Sequence, residues 1–399
     1  MGRGTAKKKM KIMLLSIGAL LLMAFAALLI ISGIFERQEY LEPWQKTYPQ
    51  KFDDPRISLA AHGMLAANGH NMQPWKIRLD AENPMVFYLY ADSGRLTRRV
   101  DPFARQMMIS QGTFLEYVDI AGDESGRRAV IELFPEGGYN EGELLESMQA
   151  RPVAKITLAN GEPQSSPLYD TMFLPDTNRA EYQPAGLTPE QISELEAISA
   201  GDGISVKIFQ DGENTGRLRS YAMEGAAVEA GVDRVMRETE LIFRANEYQK
   251  NRYRYGFSVE GQGTSGIMRH LMQGLVTLFP SMNSGKAASD LFISSTRKAV
   301  DNTPAFAMIL TDGNSRREQV ESGMAYSRLV LTAGRLGLAV QPLSQPLEEY
   351  PEMKEVYEGI HRDYAPDGGT IQMLVRLGKP TKDVPLSMRR DVMDLIPGG

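Results

Sequence analysis

Cysteine is absent from the 399 residues of this chain, which excludes disulfide bonds, thiolate nucleophiles and cysteine-ligated metal centres. Histidine is scarce, and the four present do not have the spacing of metal ligands: His62, His70, His270 and His361. Neither charge sign is in strong excess, because 44 basic residues stand against 50 acidic ones and the net charge is -6. This balance gives no reason to expect a nucleic-acid partner.

Several common catalytic and nucleotide-binding motifs are also missing. No G-x-S-x-G sequence occurs, so a hydrolase of that type has no nucleophile. Residues 261–266 fit G-x-G-x-x-G, but no core strand precedes them and no convincing acid follows, so we interpret them as a flexible turn. Residues 283–286 lack the first glycine of a phosphate-binding P-loop.

One long segment contains no charge at all. The run Ile12–Ile34 is long enough to cross a bilayer as a helix. Four lysines lie within the tail 1–11, so the positive-inside rule places the N-terminus in the cytoplasm and the large domain outside. The length favours a retained anchor, and a cleaved signal peptide is the alternative. Residues 35–55 are predicted to form a linker, with Tyr40 and Trp44 at the level of the lipid headgroups.

Hydrophobic residues make up 42% of the chain, enough for one large domain or two fused ones. Periodicity, capping residues and turn residues predict the elements. We expect helices at 57–67, 103–122, 217–246 and 316–337, a helix start at Thr188, and strands at 76–79, 84–90, 129–134, 153–158, 204–209 and 370–377.

The most informative stretch is Gly69–Trp75, with the sequence G-H-N-M-Q-P-W. It separates a helical run from a strand, and Pro74 disfavours helix at Gln73, so the sequence predicts an ordered, extended turn. The amides of Asn71 and Gln73 can both donate and accept hydrogen bonds. This composition suits a flat ligand with polar edges. It also suits the end of a helix followed by a buried tryptophan.

The motif N-x-Q-P-W resembles that of the nitroreductase family of FMN flavoproteins. Three further stretches are similar to the family: T-N-R-A-E-Y at 177–182, Q-P-L-S-Q at 341–345, and the end of the chain at 374–394. Their order resembles the tandem, Acg-type subgroup. The resemblance implies an α+β fold, a nitroreductase-like three-layer α/β/α sandwich with a mainly antiparallel sheet, duplicated in one chain. It also implies an intramolecular pseudo-dimer without an obligate partner chain.

The resemblance implies that FMN is the cofactor and NAD(P)H the electron donor, with a nitroaromatic or quinone-type acceptor. No side chain is expected to act as acid or base, because the flavin N5 carries the chemistry. Arg179, Arg389 and Arg390 are expected near the phosphate, and the Ser344 N–H near N5. The full set of implied cofactor-binding residues is Asn71, Gln73, Trp75, Thr177, Arg179, Pro342, Leu343, Ser344, Gln345, Arg389 and Arg390. An FMN-sequestering protein without turnover and a tethered scaffold without flavin are the alternatives.

The two halves, 56–170 and 171–399, also resemble each other. Shifting the first long helix by 212 positions aligns Arg105 with Arg317, and each helix precedes a strand that ends in G-x-P. Two unrelated amphipathic helices would give part of this match, but the repeated order favours duplication. The second half carries extra residues, predicted at 247–298, that we interpret as a lid.

The motifs divide unequally between the halves. N-x-Q-P-W occurs in the first half, whereas its counterpart at 201–205 has no Asn, Gln or Trp. T-N-R-x-x-Y occurs in the second half, and the counterpart of 341–345 is the acidic segment 132–136. The surviving parts complement each other across the halves, so the sequence predicts one FMN per chain at their interface.

Overall fold

The computed structural model describes residues 2–198 and 203–396. The helices of this part are α1 Gly2–Ser32, α2 Pro55–Gly63, α3 Arg105–Glu124, α4 Leu144–Ala150, α5 Pro189–Glu196, α6 Gly212–Ala230, α7 Asp233–Leu241, α8 Glu247–Tyr253, α9 Gly266–Leu278, α10 Gly285–Asp301, α11 Arg316–Arg335 and α12 Lys354–Tyr364. The strands are β1 Trp75–Leu79, β2 Val86–Ala91, β3 Arg127–Leu133, β4 Ala154–Asn160, β5 Ile204–Phe209, β6 Ala305–Thr311, β7 Ala339–Pro342 and β8 Thr370–Gly378.

The strands form two four-stranded sheets with the same internal order. The first runs β1-β2-β4-β3 and the second β5-β6-β8-β7, and every neighbouring pair is antiparallel. Helices pack on these sheets, so the predicted α+β class with mainly antiparallel sheets is confirmed. Two sheets of identical order within one chain are the arrangement that a duplication predicts.

The two long helices α3 and α11 pack against each other at the centre of the molecule. Their closest approach is at Gly112 and Gly323. A Cβ on Gly112 would lie 1.7 Å from the Val320 carbonyl oxygen, and a Cβ on Gly323 would lie 2.0 Å from that of Ile109. Only glycine permits this approach. α3 begins at Arg105 and α11 at Arg316, so the two starts differ by 211 positions, one fewer than the shift of 212 in the sequence alignment.

Most predicted elements are present within a few residues of their expected limits. The predicted start at Thr188 is confirmed as a capping box, in which Thr188 and Gln191 exchange hydrogen bonds between side chain and backbone. The single helix expected at 217–246 is wrong, because α6 ends before Gly231 and α7 begins at Asp233. Strand β6 was not predicted. It is buried along its whole length and shows no alternation of polar and apolar residues.

The segment 35–55 is part of the folded domain. Tyr40 and Trp44 are buried, so their predicted position among lipid headgroups is wrong. The C-terminal arm, residues 379–396, crosses from the second sheet to the first half. Its Val392 lies in the first-half core and donates its backbone N–H to the Tyr48 hydroxyl at 3.0 Å. The two ends of the domain therefore complete one hydrophobic core together.

The halves differ most in the connection between their first two strands. Residues 80–85 join β1 to β2, whereas residues 210–304 join β5 to β6 and contain α6 to α10. The extra segment is therefore longer than the insertion predicted at 247–298, because the sheet order aligns the β5–β6 connection with a short hairpin. We call residues 247–298 the lid throughout.

Candidate functional site

The turn before β1 has an unusual backbone. His70, Asn71 and Gln73 have φ angles of 52°, 52° and 50°, in the left-handed region that non-glycine residues adopt infrequently. The Asn68 side-chain oxygen accepts the Gln73 N–H at 2.7 Å and fixes this conformation. The predicted ordered turn is present, but the extended backbone expected for it is wrong, because the residues adopt left-handed φ angles. A strained backbone of this kind is frequent at ligand-binding sites.

The amides of the turn connect three separate segments. Asn71 donates through Nδ2 to the carbonyl oxygens of Gly256 in the lid, at 3.3 Å, and Met388 in the C-terminal arm, at 3.1 Å. Gln73 is fully buried and donates to the Arg254 carbonyl oxygen at 2.8 Å, while its Oε1 accepts the Arg390 N–H at 2.8 Å. These amides hold the lid and the C-terminal arm on the turn.

Trp75 lies in the core behind the turn. It is fully buried, donates Nε1–H to the Ser110 carbonyl oxygen at 2.7 Å, and contacts the ring of Phe114 at a centroid distance of 5.3 Å. The Trp75 side chain thus fixes the start of β1 against α3.

Arg389, expected near a phosphate, is fully buried among protein groups. Its guanidinium donates to the Leu65 carbonyl oxygen at 2.7 Å, to the Asn71 side chain at 3.0 Å and to the Asp176 carboxylate at 2.8 Å. Burial lowers the pKa of Arg389, and Asp176 opposes that change. Nε has no hydrogen-bond partner among the described residues. Arg389 therefore joins the end of α2, the turn and the second half.

Arg390 is also directed toward protein groups. It donates to the carbonyl oxygens of Gln73 at 3.3 Å and Asp394 at 2.6 Å. Burial, followed by the positive charge of Arg95, lowers the pKa of Arg390 to about 10. Among the described residues, both guanidinium groups are bonded to protein atoms. Neither is free to bind a phosphate in the way expected from the sequence.

Arg179 is different, because its side chain remains exposed to solvent. It forms no hydrogen bond or ion pair to any other residue in the part of the chain that the structure describes, although Asp176 lies close enough to raise its pKa. Desolvation by the surrounding protein atoms outweighs this effect and lowers the Arg179 pKa overall. The Asn178 N–H donates to the Val340 carbonyl oxygen at 2.9 Å and fixes the segment, with Thr177, beside β7.

Two polar groups that the sequence did not assign face the same region. His70 Nε2 and the Tyr326 hydroxyl are buried and have no hydrogen-bond partner among the described residues. Burial, followed by the positive charge of Arg179, lowers the His70 pKa to about 4, so His70 is neutral at pH 7. The lid residue Phe257 contacts the His70 ring edge-on at 5.5 Å. His70 directly precedes the N-x-Q-P-W motif, and this position was a usable signal, whereas Tyr326 had none.

The loop after β7 contains the remaining expected residues. Pro342 ends the strand, and the Leu343 N–H donates to the Leu374 carbonyl oxygen at 2.8 Å. Ser344 donates to Glu348 at 3.5 Å. Gln345 lies beside Glu229, whose carboxyl group is buried.

Glu229 and Glu348 form a buried pair next to this loop. Burial raises the pKa of Glu229 to about 7 and raises that of Glu348 well above its ordinary value, with Glu229 adding to the second shift. Each carboxyl group has one oxygen without a partner among the described residues. These glutamates are far apart in sequence, and no sequence pattern indicated the pair.

We call residues 69–75, 176–179 and 342–345 the first interface site. Its counterpart by symmetry, the second interface site, comprises residues 203–205 and 129–136. Strand pairing puts Ile204 at the position of Trp75. It also puts Ala129 at the position of Pro342, so the counterpart of 341–345 predicted at 132–136 is wrong and begins at 128. Strand β3 continues to Leu133, so no loop forms there. Positions 201 and 202 of the predicted counterpart lie outside the described residues.

Comparison with known proteins supports the resemblance from the sequence motifs. No family model matches the chain. Two provisionally named NAD(P)H nitroreductases, from two strains of Mycobacterium tuberculosis, are 23% identical over 313 residues, covering 77% of this chain and 80% of each relative. The resemblance to nitroreductases is thereby confirmed.

Solved structures with related names align more weakly. A nitroreductase-like protein from Bacillus cereus is 14% identical with a TM-score of 0.31, covering 58% of this chain and 95% of that one. An FMN-bound nitroreductase from Desulfitobacterium hafniense is 11% identical with a TM-score of 0.32, covering 57% and 96%. Scores this low carry no argument about fold or function.

Proposed function

We propose that the chain is an FMN-dependent oxidoreductase that takes hydride from NAD(P)H and reduces a nitroaromatic or quinone-type acceptor. One FMN would lie between the halves at the first interface site. The observation that carries the proposal is the unpaired guanidinium of Arg179, from the second half, next to the unpaired His70 Nε2 from the first half. The segments that contain His70 and Arg179 are about a hundred residues apart in sequence, yet their unpaired polar groups lie close together.

The residues of this site fit the chemistry of FMN. A phosphate dianion needs a cation, and the Arg179 fork is free to bind it bidentately, with the Thr177 hydroxyl nearby. The Tyr326 hydroxyl and His70 Nε2 are unpaired polar atoms suited to the polar chain of the cofactor. The loop Pro342–Gln345 would lie along the ring with the Ser344 N–H toward N5. When bound, the flavin itself supplies the hydride chemistry.

The remaining expected residues would have a positioning role. Asn71, Gln73, Trp75, Arg389 and Arg390 form hydrogen bonds that hold the turn, the lid and the C-terminal arm in place. We propose that they set the conformation of the turn that the flavin ring contacts.

A second function, FMN storage without turnover, is favoured by the lid. The Gly256 N–H donates to the Asn71 carbonyl oxygen at 3.0 Å, and Gln73 donates to Arg254, so the lid is bonded to the turn from both sides. A cover held in this way would slow the entry of a second substrate.

Flavin content and reducibility test both functions. The purified protein should be yellow, and flavin released by denaturation should titrate at about one per chain, as the division of motifs implies. NADPH should bleach the flavin under anaerobic conditions if the protein is an enzyme and leave it oxidised if it only stores FMN. A colourless protein that does not bind added FMN would overturn the proposal, and a ratio of two would overturn the single site.

We also propose that α1 anchors the protein in a membrane, with the N-terminus in the cytoplasm and the domain outside. Residues 7–32 form one helix that is long and apolar enough to cross a bilayer, and its most apolar part is not buried by the rest of the protein. The full chain should partition into detergent. A chain that starts at Phe35, which keeps Tyr40 and Trp44, should stay in the aqueous phase.

A further inference from the structure

The lid helix α9 has its polar and apolar faces reversed relative to an ordinary surface helix. His270 and Gln273 point into the protein and are buried, together with Gly274 and Val276. Ile267 and Met268, on the other face, are 52% and 54% exposed. A surface helix of a water-soluble domain normally buries its apolar stripe and exposes its polar one. The reversal indicates that the medium outside α9 is not water alone.

The inward polar face of α9 is held by a buried network of charges. Gln273 donates to the Glu247 carboxylate at 2.8 Å, and Arg269 lies 3.6 Å from the Glu260 carboxylate. Lys250 forms ion pairs with both glutamates, at 3.0 Å with Glu247. Buried charges are tolerated when they are paired in this way. The network fixes the orientation of α9, so the apolar face cannot rotate inward without breaking it.

The outward face continues beyond the helix as an apolar surface. Leu278, Phe279 and Met282 are 49%, 55% and 44% exposed. Together with Ile267 and Met268 they form the lid's apolar surface. Adjacent exposed apolar side chains of this size usually mark a contact with a membrane or another protein.

The anchor helix reaches this same part of the lid. A Cβ on Gly274 of α9 would lie 2.5 Å from the Leu28 carbonyl oxygen of α1, so only glycine allows the two helices to approach so closely. The Ser32 hydroxyl lies 3.0 Å from His270 Nδ1. Leu28 and Leu29 are partly covered here, whereas most of the apolar part of α1 before them is exposed. The lid's apolar surface is therefore continuous with the segment that would cross the bilayer.

We propose that the lid's apolar surface lies in the interfacial region of the bilayer that α1 crosses, so that its occupant is lipid. The inference rests on the proposed anchoring by α1. In addition to the anchor, α9 and residues 279–282 contact the membrane directly and hold the domain against its surface. A partly inserted amphipathic helix next to a transmembrane helix fixes the orientation of the domain.

The same lid segment that would contact the membrane also contacts the first interface site. The lid segment that precedes α9 contains Gly256 and Phe257, which contact Asn71 and His70. One continuous segment therefore contacts lipid on one side and the turn on the other.

The absence of cysteine makes this proposal directly testable with single labelled cysteines. Met268→Cys and Phe279→Cys would carry an environment-sensitive fluorophore in the lid's apolar surface. Leu20→Cys reports the anchor, and Val130→Cys, 53% exposed on β3, is the control outside the lid. Each full-length variant is placed in phosphatidylcholine vesicles at less than one chain per vesicle, which prevents contact with a second copy. Nitroxide-labelled lipids are the quencher.

We expect the probes at 268 and 279 to be quenched several-fold, as at position 20, and the probe at 130 to be unchanged. Quenching at 20 without quenching at 268 and 279 would overturn the inference while leaving the anchor intact. No quenching at position 20 would overturn the anchor and the inference together. Quenching at all four positions, including 130, would show adsorption of the whole domain and would overturn a specific seat at α9.

Discussion

The first and second interface sites occupy equivalent places in two sheets of the same order, yet they contain different chemistry. At the first, a strained turn carries Asn71 and Gln73, and a loop follows β7 at Pro342. At the second, Ile204 takes the place of Trp75, and β3 continues as a paired strand. The sheets and central helices are alike in both halves, whereas the segments that would contact a ligand are not.

The scaffold and the site are therefore under separate constraints. The crossing of α3 and α11 requires glycine on both sides, at 112 and 323, so both halves keep it. Nothing in the packing requires a free arginine, and Arg179 has its unpaired neighbours only at the first site. If one cofactor binds per chain, as we propose, one complete set of contacts is sufficient, and the second interface site needs no loop.

The largest expected effect comes from disrupting the contact between α3 and α11, to which both halves contribute. Gly112→Ala places a Cβ against the Val320 carbonyl oxygen and should destabilise the protein by about 3 kcal/mol or more, since the backbone must move. Thermal unfolding in detergent measures the loss. The matched control is Gly216→Ala in α6, where a Cβ meets nothing within 4 Å and should stabilise by about 0.5–1 kcal/mol. Equal melting temperatures for the two variants would show that the crossing is not tight.

The next largest effect distinguishes the first interface site from the second. Arg179→Ala should weaken FMN binding by about 1.5–3 kcal/mol, roughly 10- to 150-fold in Kd, because it removes a charge-assisted contact to phosphate. Fluorescence titration of the apoprotein with FMN gives this value. Arg128→Ala removes an exposed arginine of β3 and should leave the Kd unchanged. Identical affinities for both variants, with the fold intact, would remove Arg179 from the site.

The third effect is a pH dependence that belongs to the first site. The His70 pKa is lowered from 6.5 to about 4, so the unfolded chain takes up a proton before the folded chain does. Stability contributed by neutral His70 is therefore complete above pH 6.5 and is lost as the pH falls toward 4. Glu229 acts in the opposite direction, because its raised pKa makes the folded chain bind the proton first.

The variant His70→Gln isolates this contribution from the carboxyl groups. Between pH 7 and pH 4, the unfolding free energy of the variant should fall by about 1–3 kcal/mol less than that of the natural chain. Chemical unfolding of flavin-free protein at several pH values provides the measurement. Parallel pH curves for the two proteins would mean that His70 titrates normally.

The smallest effect concerns the contact between the lid and the first interface site. Phe257→Ala removes the ring that contacts His70 and should increase quenching of bound flavin by iodide roughly two- to tenfold, the range for loss of an aromatic contact of about 0.5–1.5 kcal/mol. Phe134→Ala removes a similar edge-on contact, to Tyr139, within the second interface site. That variant should leave the quenching constant unchanged. A rise in both would indicate general loosening.

The sequence was sufficient for elements with local signals. Pro74 indicated the turn before β1, and the Thr188 capping box indicated the start of α5. It was not sufficient where partners are distant along the chain. Arg389 had the composition of a phosphate ligand, but its partners Leu65 and Asp176 lie in other elements. The orientation of α9 likewise depends on Glu247 and Lys250, which lie beneath it and come from another helix.

The C-terminal arm has a consequence for how the protein is made. Val392 and Arg389 complete the core and the turn of the first half, but they are synthesised after the whole second half. Domains usually fold in order as the chain emerges from the ribosome. Here the first half must wait, with the Leu65 and Ala66 carbonyl oxygens without Arg389 and part of its core open, until residues some three hundred positions later arrive. During synthesis, the half that emerges first is therefore the last to be finished.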